Sequence, residues 1–224
     1  MATRSSRRHA ILFDLDGTLV DSIALILNSA RYAFQKLGRE WISDDVWREG
    51  IGIPLPTMFM RHARDTAERD ALIAAYREYQ LEHHDRLISC YEDVVETVHR
   101  LRASGHELAV VTSKSEWLAY RALALVKLAT AMDTVVGLGS SNRHKPDPEP
   151  VLVALQRLDC PPELAVFVGD SVHDVMAGNA AGVATVAATW GAFARADLEP
   201  GTPSHWLERI SDLPALIRDS VQTF

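Results

Sequence analysis

Cysteine is scarce in this chain. Its 224 residues include two, Cys90 and Cys160, with neither a CxxC spacing nor a histidine cluster beside them. That argues against a structural zinc and fits a reducing compartment, so a cytoplasmic protein is expected. Runs of positive charge are short and the net charge is -7, which leaves no footprint for nucleic acid. No apolar run is long enough to cross a membrane. The basic Arg4-Ser5-Ser6-Arg7-Arg8 precedes the apolar Ala10 to Phe13, which stops at Asp14. That run is too short for a secretory signal, and the basic stretch reads as a frayed, solvated terminus. Internal repeats and low-complexity segments are also missing. What remains is an ordinary globular composition, 47% apolar and 24% charged, sized for one large domain or one domain carrying a smaller insert.

Short apolar runs alternate with longer helical patterns. Ala10 to Phe13, Leu108 to Val111, Thr134 to Val136, Ala165 to Val168 and Ala184 to Ala187 read as buried strands. Helix-length segments lie between them, among them Glu116 to Leu128, Pro148 to Leu158 and Val172 to Ala181. This predicts an α/β fold, a Rossmann-like parallel sheet sandwiched by helices, with ligands at the carboxyl ends of the strands. From Asp21 to Leu87 the pattern is helical, at Ile23 to Leu37, Asp44 to Glu49, Pro54 to Ala63 and Glu68 to Leu87. A small α-helical cap inserted after the first strand is expected, spanning residues 21–87 and lying over a core of residues 1–20 and 88–224.

Phe13-Asp14-Leu15-Asp16-Gly17-Thr18-Leu19 closes the first strand. Positions two apart share a face, so Asp14 and Asp16 project together at the strand's end. Adjacent carboxylates both stay ionised only beside a cation or strong donors. Turn chemistry explains one Asp and Gly17, but not two carboxylates set into an apolar strand end. The second strand ends at Thr112-Ser113, followed by Lys114. Thr112 offers a hydroxyl, while Ser113 or Ser115 also suits an N-cap. The fourth ends at Gly169-Asp170-Ser171-Val172-His173-Asp174. Asp170 stands where a metal ligand would be wanted. A capping box between Ser171 and Asp174 accounts for Asp174 but not for Asp170. In Lys145-Pro146-Asp147-Pro148-Glu149-Pro150, Pro146 favours an extended Lys145 and Asp147 suits an N-cap. A lone lysine is ordinarily a solvated charge. Lys145 gains interest because the fold would bring it to the same edge as Asp14, Asp16, Thr112 and Asp170.

Taken in order, DxDGTL, a strand ending in Thr/Ser, a lysine before Pro-x-Pro and GDxxxD resemble the haloacid dehalogenase superfamily over nearly the whole chain. The insert and its Gly50-Ile51-Gly52-Ile53-Pro54-Leu55 loop are similar to the helical cap of the phosphoglycolate phosphatase-like branch. Glu82-His83-His84-Asp85 with the Lys145 segment also resembles a bacterial inorganic pyrophosphatase of that branch. Gly139-Ser140-Ser141-Asn142, where relatives more often carry acidic residues, departs from the pattern, and so does Lys127-Leu128 in place of Gly-Leu.

The resemblance implies that Asp14 is a nucleophile forming an aspartyl-phosphate and that Asp16 is the acid and base. It implies magnesium held by Asp14, the Asp16 backbone carbonyl and Asp170. Thr112, Ser113, Lys145 and Ser22 would contact the phosphoryl group, with Asp174 supporting the metal shell or Lys145. The expected activity is hydrolysis of a small phosphomonoester, phosphoglycolate or a sugar or nucleoside phosphate, by a monomer or homodimer. A pyrophosphatase is the alternative, and a β-phosphoglucomutase-type transferase ranks lower. A dehalogenase would not need Asp16, because a halide leaves without a proton. A decayed, non-catalytic binding module should have lost one of Asp14, Asp16, Lys145 or Asp170, and all are present. Arg48, Arg61, His83 and His84 are the cap's candidates for an anion contact, each with a solvated-helix alternative.

Overall fold

The computed structural model describes residues 9–220, so the basic Arg4-Ser5-Ser6-Arg7-Arg8 stretch lies outside the described residues. The chain runs β1 (Ala10–Phe13), β2 (Val20–Asp21), α1 (Ile23–Lys36), α2 (Asp44–Arg48), α3 (Leu55–Met60), α4 (Thr66–Leu87) and β3 (Ser89–Cys90). It continues α5 (Val94–Ala103), β4 (Glu107–Ser115), α6 (Glu116–Leu125), β5 (Thr134–Leu138), α7 (Glu149–Leu158), β6 (Ala165–Gly169) and α8 (Val172–Ala181). It closes with β7 (Ala184–Ala188), α9 (Arg195–Leu198), β8 (His205–Leu207) and α10 (Leu213–Ser220).

Six parallel strands form one sheet in the order β5-β4-β1-β6-β7-β8. From β1 the chain builds outward to β5, then returns to β6 on β1's other side. The order therefore reverses between β1 and β6, and a doubly wound sheet opens its ligand crevice at the carboxyl ends beside such a reversal. Five of the six strands are the expected ones. The sixth, β8, is a half-buried edge strand of three residues, too short and mixed to register as an apolar run.

The strands' two faces feed two apolar clusters, as a period of two requires. Ile11, Phe13, Val110 and Val168 join one cluster with Val98, Leu123 and Leu213. Leu12, Val111, Val136 and Phe167 join the other with Val151, Leu155 and Ala177. Residues expected as helix to Leu128 leave it after Leu125, because Lys127 takes a left-handed φ of 62°.

Helices α1 to α4 form the cap and gather around an apolar cluster of their own, built on Leu27, Phe34, Trp47, Phe59, Leu72 and Tyr76. Phe34 is its centre, with the rings of Trp41, Trp47 and Phe59 at 5.5, 6.0 and 6.2 Å. Ser43 and Asp65 cap α2 and α4, accepting from Val46 N and Glu68 N. The antiparallel pair β2–β3 joins the two crossings between cap and sheet.

Candidate active site

Asp14 follows β1 directly, and its N–H donates to Val168 O at 2.9 Å, so the backbone stays in register with β6 one residue past the strand. Its side chain is buried. Lys145 meets it there: Nζ donates to Asp14 Oδ1 at 2.8 Å, Asp174 Oδ1 at 2.6 Å and Val111 O at 3.2 Å. Those three acceptors match the ammonium's three donors, which is how a lysine with 3% exposure is tolerated. Asp14 Oδ2 accepts no hydrogen bond among the described residues.

Asp170 directly follows β6 on the other side of the crevice. Its Oδ1 accepts from Thr18 Oγ1 at 3.0 Å and its Oδ2 from Ala192 N at 2.8 Å. Gly17 sits at φ 88°, and a Cβ there would stand 2.2 Å from Asp170 Oδ2, so both the turn and the close approach require glycine. Asp174 keeps the capping box read from the sequence, its Oδ2 accepting from Ser171 N and Oγ, while its Oδ1 holds Lys145. The capping and supporting readings are therefore both present in one residue.

Asp16 is held differently. Ser22, fully buried at the entry to α1, donates to Asp16 Oδ1 at 2.5 Å, and Lys114 Nζ donates to the same oxygen at 2.5 Å. Thr112 is buried and its Oγ1 accepts from Lys114 N. Asp147 Oδ1 accepts from Glu149 N at 2.9 Å, but the N-cap of α7 is Pro148 rather than the expected Asp147, and it has no side-chain cap bond. Ser113 departs from its expected N-cap role: its Oγ donates to Gly52 O in the cap at 2.6 Å, tying core to cap. Ser115 is the N-cap of α6 by backbone alone, with no side-chain bond.

Asp14, Asp16, Thr112, Ser113 and Lys114 line one side of a cleft of about 120 Å³. The opposite side comes from the cap, including Trp47, the 50–53 loop, Tyr76, Arg77 and Gln80. None of the four cap residues expected to meet an anion lines this cleft. Arg48 pairs with Asp45, Arg61 borders a separate surface hollow, His83 packs on Tyr79 and His84 is buried with Nδ1 against Asp85. Sequence reasoning also passed over Lys114, Thr18 and Ala192. Lys114 had one signal, its place directly after Thr112-Ser113. Ala192 had none, since only the fold carries its N–H to Asp170.

Three buried carboxylates, Asp14, Asp170 and Asp174, bring oxygens within 4.8 Å of one another and face the single ammonium of Lys145. Burial drives the Asp14 carboxyl well above its ordinary range, opposed by Lys145 and reinforced by Asp174 and Asp170. Burial, then Asp174, pushes Asp170 up to about 7 against the donors Ala192 and Thr18. Burial works against the Lys145 ammonium, but Asp14 and Asp174 outweigh it and raise its pKa, so it stays charged. Excess negative charge in an all-oxygen setting fits a hard divalent cation.

Residues 11–188 match the family described as haloacid dehalogenase-like hydrolase. A putative pyrophosphatase PpaX from Caldanaerobacter subterraneus is 39% identical over 210 residues, covering 93% of this chain and 94% of that protein. A pyrophosphatase PpaX from Bacillus velezensis is 39% identical over 207 residues, covering 91% and 94%. Among solved structures, a predicted phosphoglycolate phosphatase from Haemophilus somnus is 25% identical with a TM-score of 0.87, covering 93% of this chain and 97% of its own. A haloacid dehalogenase-like family hydrolase from Streptococcus pneumoniae is 27% identical with a TM-score of 0.83, covering 93% and 98%.

Proposed function

The chain belongs to the haloacid dehalogenase-like hydrolases, and on that premise we propose that it is a magnesium-dependent phosphohydrolase acting through Asp14, with inorganic pyrophosphate as its preferred substrate. The observation that carries the reaction class is the buried Asp14–Lys145 pair at the crevice between β1 and β6, opening on a cap-covered cleft.

Asp14 attacks phosphorus in line as the bond to the leaving oxygen breaks, giving an acyl phosphate on Asp14. Asp16 supplies the proton the leaving oxygen takes up. Water then attacks the same phosphorus, Asp16 accepts its proton, and the Asp14 oxygen–phosphorus bond breaks to release phosphate. Lys145 neutralises charge on the transferring group and keeps Asp14 placed, while Thr112 offers its hydroxyl to a phosphoryl oxygen and Ser22 orients Asp16. A magnesium ion would be held by Asp14, Asp170 and the Asp16 carbonyl. It would supply Lewis-acid neutralisation of the phosphate oxygens.

Two observations favour pyrophosphate over the larger phosphomonoesters. The cleft of about 120 Å³ is small against the roughly 300–1,000 Å³ usual for small-molecule sites. The two relatives named above carry pyrophosphatase names over more than nine-tenths of this chain. A small phosphomonoester such as phosphoglycolate is the second reading, favoured by the Haemophilus neighbour. A chain with two cysteines and no CxxC spacing suits a cytoplasmic setting.

The test is phosphate release with magnesium from pyrophosphate, phosphoglycolate, β-glucose 1-phosphate and larger sugar and nucleoside phosphates. The highest kcat/KM is expected for pyrophosphate. Release from none of them would refute the hydrolase reading, and glucose 6-phosphate as product would make the enzyme a mutase.

A further inference from the structure

The cap's α4 turns one polar stripe to the cleft. Tyr76, Arg77 and Gln80 all line it, and spacings of three and four residues put Gln80 beside each of the other two on the helix surface. The side chains of Arg77 and Gln80 are unspent. Arg77 makes no ion pair or hydrogen bond among the described residues, whereas Arg31, Arg39, Arg48, Arg64 and Arg69 of the cap all have carboxylate partners. Gln80 is 5% exposed and its amide has no hydrogen-bond partner among the described residues. The amide is open to the cleft rather than sealed in the core, so an acceptor on a ligand there can reach it. The stripe is close to the chemistry, because after burial it is the charge of Asp16 that raises the Tyr76 hydroxyl's pKa.

Lys114 and Arg77 are the two cations lining the cleft, and Lys114 is already committed to Asp16. Negative charge on the far side of a bound phosphoryl group would therefore meet Arg77. We propose that Arg77 and Gln80 form the leaving-group subsite of this enzyme, selecting substrates whose departing group is itself an anion. Arg77 supplies a planar fork for a phosphate or carboxylate, and Gln80 donates its amide from the buried side. This rests on the phosphohydrolase reading above and adds which end of the substrate the cap reads. It places an anhydride of two phosphates, or a phosphoester carrying a carboxylate, ahead of an ester with an uncharged alcohol.

The experiment compares pyrophosphate with ethyl phosphate, which offers the same transferring group but departs as an uncharged alcohol, in the full chain with magnesium. For Arg77→Ala and Gln80→Leu, the ratio of kcat/KM for pyrophosphate to that for ethyl phosphate should fall. Loss of a charge-assisted contact predicts a drop of roughly 10- to 100-fold for Arg77→Ala, mainly through KM. Arg77→Lys, which keeps the charge but not the fork, should restore part of the ratio. Arg77 is exposed, so its truncation does not open the core. A ratio unmoved in both variants overturns the subsite and leaves the hydrolase reading standing. A wild-type protein that releases phosphate from neither compound overturns both.

Discussion

Lys114 Nζ donates to Asp16 Oδ1 from 98 residues further along the chain, on the same oxygen that Ser22 holds. Asp16 is thereby fixed in one rotamer, and its second oxygen accepts no hydrogen bond among the described residues. The ammonium and the hydroxyl together set the place of the carboxylate proposed to exchange a proton each turnover. Lys114→Met is expected to lower kcat by roughly 10- to 100-fold, the scale of one charged hydrogen bond, and steady-state kinetics with pyrophosphate would measure it. An unchanged kcat would make the Lys114–Asp16 pair incidental.

Ser113 ties the core to the cap through Gly52 O at 2.6 Å, and Gly52 holds a φ of 97° that a side chain would strain. Ser113→Ala removes the tie and leaves Asp14, Asp16 and Asp170 in place. A net loss of about 1 kcal/mol predicts a several-fold rise in KM with kcat changed less. A fall in kcat with KM constant would instead put Ser113 on the reacting group.

Phe34 is fully buried at the centre of the cap's own aromatic cluster. Phe34→Ala should destabilise the cap by about 3–5 kcal/mol, since the surrounding rings cannot collapse into the space. Limited proteolysis should then cut within residues 21–87 while the sheet resists. Cleavage spread evenly over the chain would argue against a cap with its own core.

Metal binding should show in the pH dependence of stability. Asp170 is pushed up to about 7, and Asp14 is also raised. A carboxyl whose folded pKa lies above its unfolded value stabilises the fold at pH values below both. That contribution is lost as pH rises from about 4 through about 7. Chelator-treated protein should therefore lose Tm between pH 5 and pH 8 by an amount reflecting up to a few kcal/mol. Magnesium added at pH 8 should raise Tm by several degrees, and less at pH 5, where protons compete for the same oxygens. Equal shifts at both pH values would contradict a carboxylate metal site.

Much of this was legible in the sequence for a physical reason: strand ends at one sheet edge are fixed by topology, and Asp14, Asp170, Thr112 and Lys145 each sit a residue or two from an apolar run or a proline. Five strands announced themselves as apolar runs, β5 at one edge among them, while the short β8 at the other edge carried His205 and Trp206. The cap was legible as helices but not as a surface. Arg48, Arg61, His83 and His84 looked suitable by type, whereas which face of α4 meets the cleft depends on how α4 packs on α1, and that packing sets Arg77 and Gln80 along the cleft. Thr18, Ala192 and Lys114 reach Asp170 and Asp16 across long stretches of chain, a pairing no local pattern encodes.

The most direct test of Asp14 as nucleophile is to quench the enzyme with acid during turnover of ³²P-labelled pyrophosphate and map the label. The expected result is hydroxylamine-labile phosphate on the peptide containing Asp14, absent in Asp14→Asn along with turnover. Label elsewhere, or Asp14→Asn protein that still turns over at the wild-type rate, would contradict it.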